Sequence, residues 1–248
     1  MSIETKKPVI KMIRQFASKT LAWARPYQYA RHGNIVLHEF KGIYFYIPKV
    51  ACSSIKLAIA EAIGVPSPDP DNKMAFPHRR NYPYIKRQDL PKYEAYFRFA
   101  FVRNPWDRIL SCYQNKIVGV REGKFGERVL PSFLKWDSKQ FNLDMTFGEF
   151  VETLMDVPDA GADPHYRSQF TFVEDDLGRD IVNFVGRFEN LQDDFEKVAT
   201  ALSAPELRLP HVMQSPRNIS YRDYYNSSTR KLIERRFSKD IEKFEYSF

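Results

Sequence analysis

Ile43-Tyr44-Phe45-Tyr46-Ile47-Pro48-Lys49-Val50-Ala51-Cys52-Ser53-Ser54-Ile55-Lys56 decides the fold. Its first five residues are β-branched or aromatic and uncharged, the pattern of a buried strand, and Pro48 stops it. From about Ser53 to Ile63, Ile55, Leu57, Ala58, Ile59 and Ala62 recur at helical spacing, until Gly64 and Pro66 end the run. A strand, a turn of small residues and a helix make an anion-binding corner. The turn aims successive backbone N–H groups at one spot, and the helix N-terminus adds partial positive charge. Lys49 and the hydroxyls of Ser53 and Ser54 supply further donors. The Walker spacing is missing, because the segment has no Gly and Lys49 precedes the small residues. An ordinary ATPase is therefore disfavoured.

The same construction recurs downstream. Phe97 to Val102 is a second apolar run, stopped by Asn104-Pro105, where Asn104 suits an N-cap and Pro105 the first helical position. The helix is expected to reach about Ile117. Arg103 leaves the end of this buried strand as the helix begins, and ligands of open α/β sheets bind beyond the carboxyl ends of strands. Arg presents a planar fork to phosphate. Asp107 and Ser111, four residues apart, share one helix face. Taken alone, Arg103 is equally a residue that ties the helix start to a carboxylate.

Further along, Thr146 and Glu149 form a capping box for a helix through about Met155. Phe170–Val173 and Ile181–Val185 read as strands, Glu189–Leu202 as a helix, and Ser228–Phe244 as a final helix. Residues 65–95, with six prolines, read as one long loop, and such loops inside domains are usually functional or disordered. Strands alternating with helices imply β-α units, so the expected class is α/β with a central parallel sheet flanked by helices. No composition break marks a second domain. Residues 35–248 are expected to form one domain, preceded by a basic N-terminal arm, residues 1–34, in which Ile10, Ile13, Phe16, Ala17 and Leu21 recur at helical spacing.

Composition narrows the partners. The 248 residues carry 38 Lys+Arg against 31 Asp+Glu, a net charge of +7, which permits an anionic partner without choosing one. Two cysteines, Cys52 and Cys112, cannot build a disulfide framework or a four-ligand zinc site, and they suit a reducing compartment. No run of 18 apolar residues occurs and no secretory signal opens the chain. A cytoplasmic location is expected, with the basic arm a candidate for peripheral contact with an anionic membrane.

Together the two corners resemble those of the carbohydrate sulfotransferases of the chondroitin 4-sulfotransferase and HNK-1 type and their bacterial relatives. The likeness continues through Asp163-Pro164-His165-Tyr166, Val185-Gly186-Arg187-Phe188-Glu189-Asn190-Leu191, Pro216-Arg217-Asn218 and the tail Asp240-Ile241-Glu242-Lys243-Phe244-Glu245-Tyr246. The resemblance implies a P-loop-containing sulfotransferase fold that uses 3′-phosphoadenosine 5′-phosphosulfate (PAPS) and requires no metal. Lys49, Val50, Ala51, Cys52, Ser53 and Ser54 would then form the 5′-phosphosulfate loop, with Lys49 at the bridging oxygen. Arg103 and Ser111 would hold the 3′-phosphate, and Arg217 would also contact the nucleotide.

A hydroxyl acceptor needs a base, and His is suited because its pKa lies near neutrality. By resemblance the candidates are His78, in the long loop, and His165, with a carboxylate left open. The acceptor implied is a glycan or glycolipid. Arg79, Arg80, Lys86 and Arg87, with Tyr82 and Tyr84, form one basic-aromatic group for it, and Lys116, Arg121, Lys124 and Arg128 form a second. Either group also reads as ordinary solvated surface. The alternatives are a P-loop-type nucleotide-dependent kinase, transfer to a non-carbohydrate small molecule, or a non-catalytic nucleic-acid or membrane-binding protein. No nucleic-acid-binding motif is evident, and none is expected as a partner.

Overall fold

A computed structural model describes residues 34–65, 82–124, 140–210 and 219–248. Residues 1–33 of the N-terminal arm, His78 and Arg217 lie outside the described residues, as do Arg79, Arg80 and Arg128.

Five strands form one sheet: β1 (Asn34–Leu37), β2 (Gly42–Phe45), β3 (Tyr84–Ile85), β4 (Phe97–Val102) and β5 (Phe184–Arg187), in the order β3-β1-β2-β4-β5. The β2-β4-β5 portion is parallel, with Phe45 opposite Ala100 and Val102 opposite Arg187. The other edge corrects the expected parallel sheet, since β1 runs antiparallel to both β2 and β3. Only His38 to Lys41 join β1 to β2, and so short a link can make only a hairpin. β1 begins at Asn34, the residue that closes the expected arm, and its Ile35-Val36-Leu37 run is fully buried. The expected 65–95 loop contains β3 and a 3₁₀ segment over Arg87–Tyr93.

The helices are α1 (Cys52–Ala62), α2 (Pro105–Tyr113), α3 (Phe147–Met155), α4 (Phe170–Val173), α5 (Leu191–Ala201), α6 (Ser227–Arg236) and α7 (Ser238–Lys243). α2 starts as its sequence dictates: Pro105 occupies the first turn and the Asn104 side chain accepts the Trp106 N–H at 3.1 Å. Beyond Tyr113 the helix widens into a π-helical turn, Gln114–Val118, before a last turn over Gly119–Arg121. The Thr146–Glu149 capping box opens α3. Phe170–Val173, expected as a strand, is a helical turn instead. The Asp240 carboxylate accepts the Gln169 and Phe170 amides at 2.7 and 2.8 Å, which fixes the entry to this turn. The expected final helix breaks at Phe237 (φ −114°, ψ 25°), whose ring is buried beside Ile233.

Two cores result. One packs the sheet against α1 and α5, with Tyr44 stacked on Phe99 at 5.4 Å between centroids. The other joins α2, α3 and α6 through Trp106, Leu110, Phe150 and Ile233. Between them, the carboxyl ends of β2, β4 and β5 open onto one edge of the sheet. Among the described residues, no helix is long and apolar enough to cross a membrane.

Candidate anion-binding site

The loop after β2 is built around two left-handed residues, Lys49 (φ 73°) and Ala51 (φ 60°, ψ 22°). Neither is glycine, so each conformation costs about 1–2 kcal/mol. Such strain persists where surrounding contacts over-determine it, and it clusters at ligand clamps. The bend delivers the chain to the start of the 11-residue α1, where no side chain caps the N-terminus and no acidic residue lies in the first turn. The amides of Cys52, Ser53 and Ser54 have no intrahelical acceptor there. The arrangement is a set of oriented N–H donors at the positive end of a helix.

Lys49 completes this concavity. No hydrogen bond or ion pair of its ammonium occurs among the described residues. Burial pushes its pKa down to about 8; the neighbouring Lys116 and Arg103 cations add to that, while Cys112 and Cys52 oppose it. A half-buried, desolvated cation with no carboxylate among the described residues is a poor element of stability and a good receptor for an external anion. The residues therefore fit an anion of phosphate or sulfate type.

Arg103 follows β4 directly and is nearly buried. Its Nη1 donates to the Lys49 carbonyl at 3.2 Å, so the two sequence motifs meet. Nε and Nη2 both donate to Asp107 Oδ2, at 2.8 and 2.6 Å, and the Phe188 ring covers the guanidinium at 3.9 Å. The carboxylate tie read as one alternative from the sequence is thus present. Ser111 lies on the same face of α2, one turn beyond Asp107, and is partly exposed.

His165 is brought to the same place by the segment between α3 and α4. Its Nδ1 lies 2.6 Å from Asp163 Oδ1, which also accepts the His165 amide at 2.9 Å. A carboxylate only accepts, so Nδ1 carries the proton and Nε2 keeps its lone pair. Burial lowers the His165 pKa below its usual value, Asp163 works against this, and the charges of Lys116 and Lys49 lower it further. The imidazole is neutral at pH 7 and able to take a proton. Lys116, one member of a predicted surface group, instead sits half-buried on the π-helical turn, close enough to act electrostatically on both Lys49 and His165.

Several organising residues carry no local sequence signal. The buried Gln169 brackets the Arg103 backbone, with Oε1 accepting its N–H at 2.9 Å and Nε2 donating to its carbonyl at 2.8 Å. Glu189 accepts the Asn104 amide at 2.7 Å and the Tyr246 hydroxyl at 3.0 Å. Arg236 donates to the Leu154 and Val157 carbonyls, to Ser168 Oγ and to Asp159. Pro216-Arg217-Asn218 and His78 are not among the described residues. No cluster of three or more metal-ligating side chains occurs among those that are.

The Sulfotransferase family model matches residues 33–247, and the chain belongs to that family. It is similar to carbohydrate sulfotransferase 14 of Danio rerio, at 29% identity over 188 residues, covering 71% of this chain and 50% of the relative. The human carbohydrate sulfotransferase 14 is also 29% identical, over 195 residues, covering 76% and 50%. Carbohydrate sulfotransferase 11 of Danio rerio is 26% identical over 204 residues, covering 74% and 56%. The chain thus spans about half the length of the curated relatives it matches. No solved structure matches.

Proposed function

We propose that this chain transfers a sulfuryl group from PAPS to a hydroxyl of a carbohydrate or glycolipid acceptor, on a P-loop-type sulfotransferase fold. The supporting observation is the junction of the two motifs at the carboxyl edge of the sheet, with the Arg103 guanidinium on the Lys49 carbonyl. The His165–Asp163 pair lies close enough for the Lys49 charge to act on the imidazole. The names of the similar carbohydrate sulfotransferases support the acceptor class.

The roles follow from charge. The amides of Cys52, Ser53 and Ser54 and the Lys49 ammonium hold the 5′ phosphosulfate. Arg103 and Ser111 take the 3′-phosphate, with Asp107 and Phe188 holding the guanidinium flat before binding. His165 Nε2 accepts the proton of the acceptor hydroxyl as its oxygen bonds to sulfur and the sulfur–oxygen bond to the nucleotide breaks. Lys49 stabilises the negative charge left on that bridging oxygen, which grows only as the bond breaks, so the contact favours the transition state. Lys116 offers a further cation between the two ends of the reaction.

Binding of 3′,5′-adenosine bisphosphate tests the donor site. At a hundredfold excess over Kd a ligand stabilises by about 2.7 kcal/mol. For a protein of this size that raises Tm by roughly 5–10 °C. Arg103→Ala should lose most of the shift. An unshifted wild type, or an equal shift in Arg103→Ala, contradicts the assignment, as does a larger shift with ATP.

A further inference from the structure

Arg108 lies on α2 one residue beyond Asp107, and it is almost completely buried, at 1% exposure. The sequence reading gave it no role. A buried guanidinium normally faces a carboxylate. This one faces three backbone carbonyls. Nε donates to Pro48 at 3.0 Å, Nη1 to Arg167 at 2.7 Å and Nη2 to Pro164 at 2.9 Å. Asp240 is the foremost negative group acting on it, and it does so as part of the surrounding field.

The three acceptors are not arbitrary. Pro48 immediately precedes Lys49, and its carbonyl is fixed just where the chain enters its left-handed turn. Pro164 and Arg167 flank His165 on either side. Arg108 therefore joins two loops that are far apart in sequence, one carrying the cation for the leaving group and one carrying the proton acceptor. The planar fork fixes the direction as well as the length of each bond, which a lysine ammonium cannot reproduce. Other contacts secure each loop separately. Arg167 donates twice to Ala162, and Asp163 holds the His165 ring. Arg108 bonds to both loops.

We propose that Arg108 is a positioning residue that clamps the Lys49 loop to the His165 loop and so fixes the separation of leaving group and base during sulfuryl transfer. This rests on the functional reading above. A misplacement of about 1 Å at a reacting pair costs on the order of 10²-fold in rate. Arg108→Lys keeps the charge and is expected to lower kcat by about 10- to 100-fold. Its affinity for 3′,5′-adenosine bisphosphate should stay within about threefold, because Arg103 keeps Asp107, Gln169 and Phe188 as partners without the clamp. Arg108→Ala leaves a guanidinium-sized gap, so added millimolar guanidinium should restore part of its turnover.

Wild type is assayed beside both variants for bisphosphate binding and for transfer from PAPS. A wild type that neither binds nor transfers overturns the functional reading, and the clamp with it. An active wild type with an equally active Arg108→Lys overturns the clamp alone. So does a variant whose kcat is kept while bisphosphate affinity collapses. Loss of the folded state in both variants, seen as the absence of a melting transition, would assign Arg108 to folding and not to positioning.

Discussion

In the proposed reaction Lys49 and His165 act through opposite charge states, produced by one desolvated environment. Burial lowers both pKa values, yet Lys49 at about 8 stays mostly cationic at pH 7 while His165, below its usual 6.5, is neutral. Each is then in the form its proposed role requires. The pH dependence of kcat/KM reports the free enzyme. It should fall on the acid side as His165 gains a proton, through a pKa below 6.5. It should fall again above about 8 as Lys49 loses its own. An anionic donor raises the Lys49 pKa, so donor affinity is greatest below pH 8 and declines above it. Lys49→Ala should remove the alkaline limb and cut turnover more than donor affinity. A profile that keeps rising through pH 9, or an unchanged alkaline limb in the variant, would contradict this. Lys49 and Arg103 were legible from local signals, a strand end and a helix start, and His165 from the resemblance carried by Asp163-Pro164-His165-Tyr166. Arg108, Gln169 and Asp240 were not, because their partners lie far along the chain and only folding brings them together.

At the scale of elements, sequence reading did best where local chemistry is decisive and worst where a short apolar run had to be assigned. The start of α2 and the Thr146–Glu149 box were readable from their caps. Phe170–Val173 was misread because a four-residue run with three apolar members fits a strand or a helical turn equally well, and a distant carboxylate settles the matter. β1 was missed because Ile35-Val36-Leu37 abuts a basic segment, and its pairing along β2 is a tertiary fact. The β4-β5 contact shows how tightly the site's framework is packed. Gly186 lies opposite Phe101, and a Cβ placed there would come within 2.4 Å of the Phe101 ring. Gly186→Ala should therefore destabilise by about 1–3 kcal/mol through overpacking, or roughly 2–12 °C in Tm. An unchanged melting temperature would show that β5 can shift freely. That matters for function, because β5 leads into Phe188, the ring that covers Arg103.

Across the whole molecule, the +7 charge is divided unequally in its consequences. Many of the cations sit in exposed pairs, such as Lys92–Asp89 and Lys124–Glu122, which contribute little to stability. A small part of the charge converges at the carboxyl edge of the sheet, where Lys116 and Arg103 both act on Lys49. Two left-handed non-glycine residues, a bare helix start and a desolvated lysine with no carboxylate partner among the described residues are all unfavourable for a protein that only needs to fold. They are intelligible together as a site prepared for an anion. The most direct test is transfer of labelled sulfuryl from PAPS to an array of saccharide acceptors, with wild type and Lys49→Ala side by side. Label should appear on at least one saccharide with wild type and be greatly reduced with Lys49→Ala under saturating donor. Labelling by Lys49→Ala at the wild-type rate, or no labelling of any saccharide by wild type that binds the bisphosphate, would contradict the assigned function.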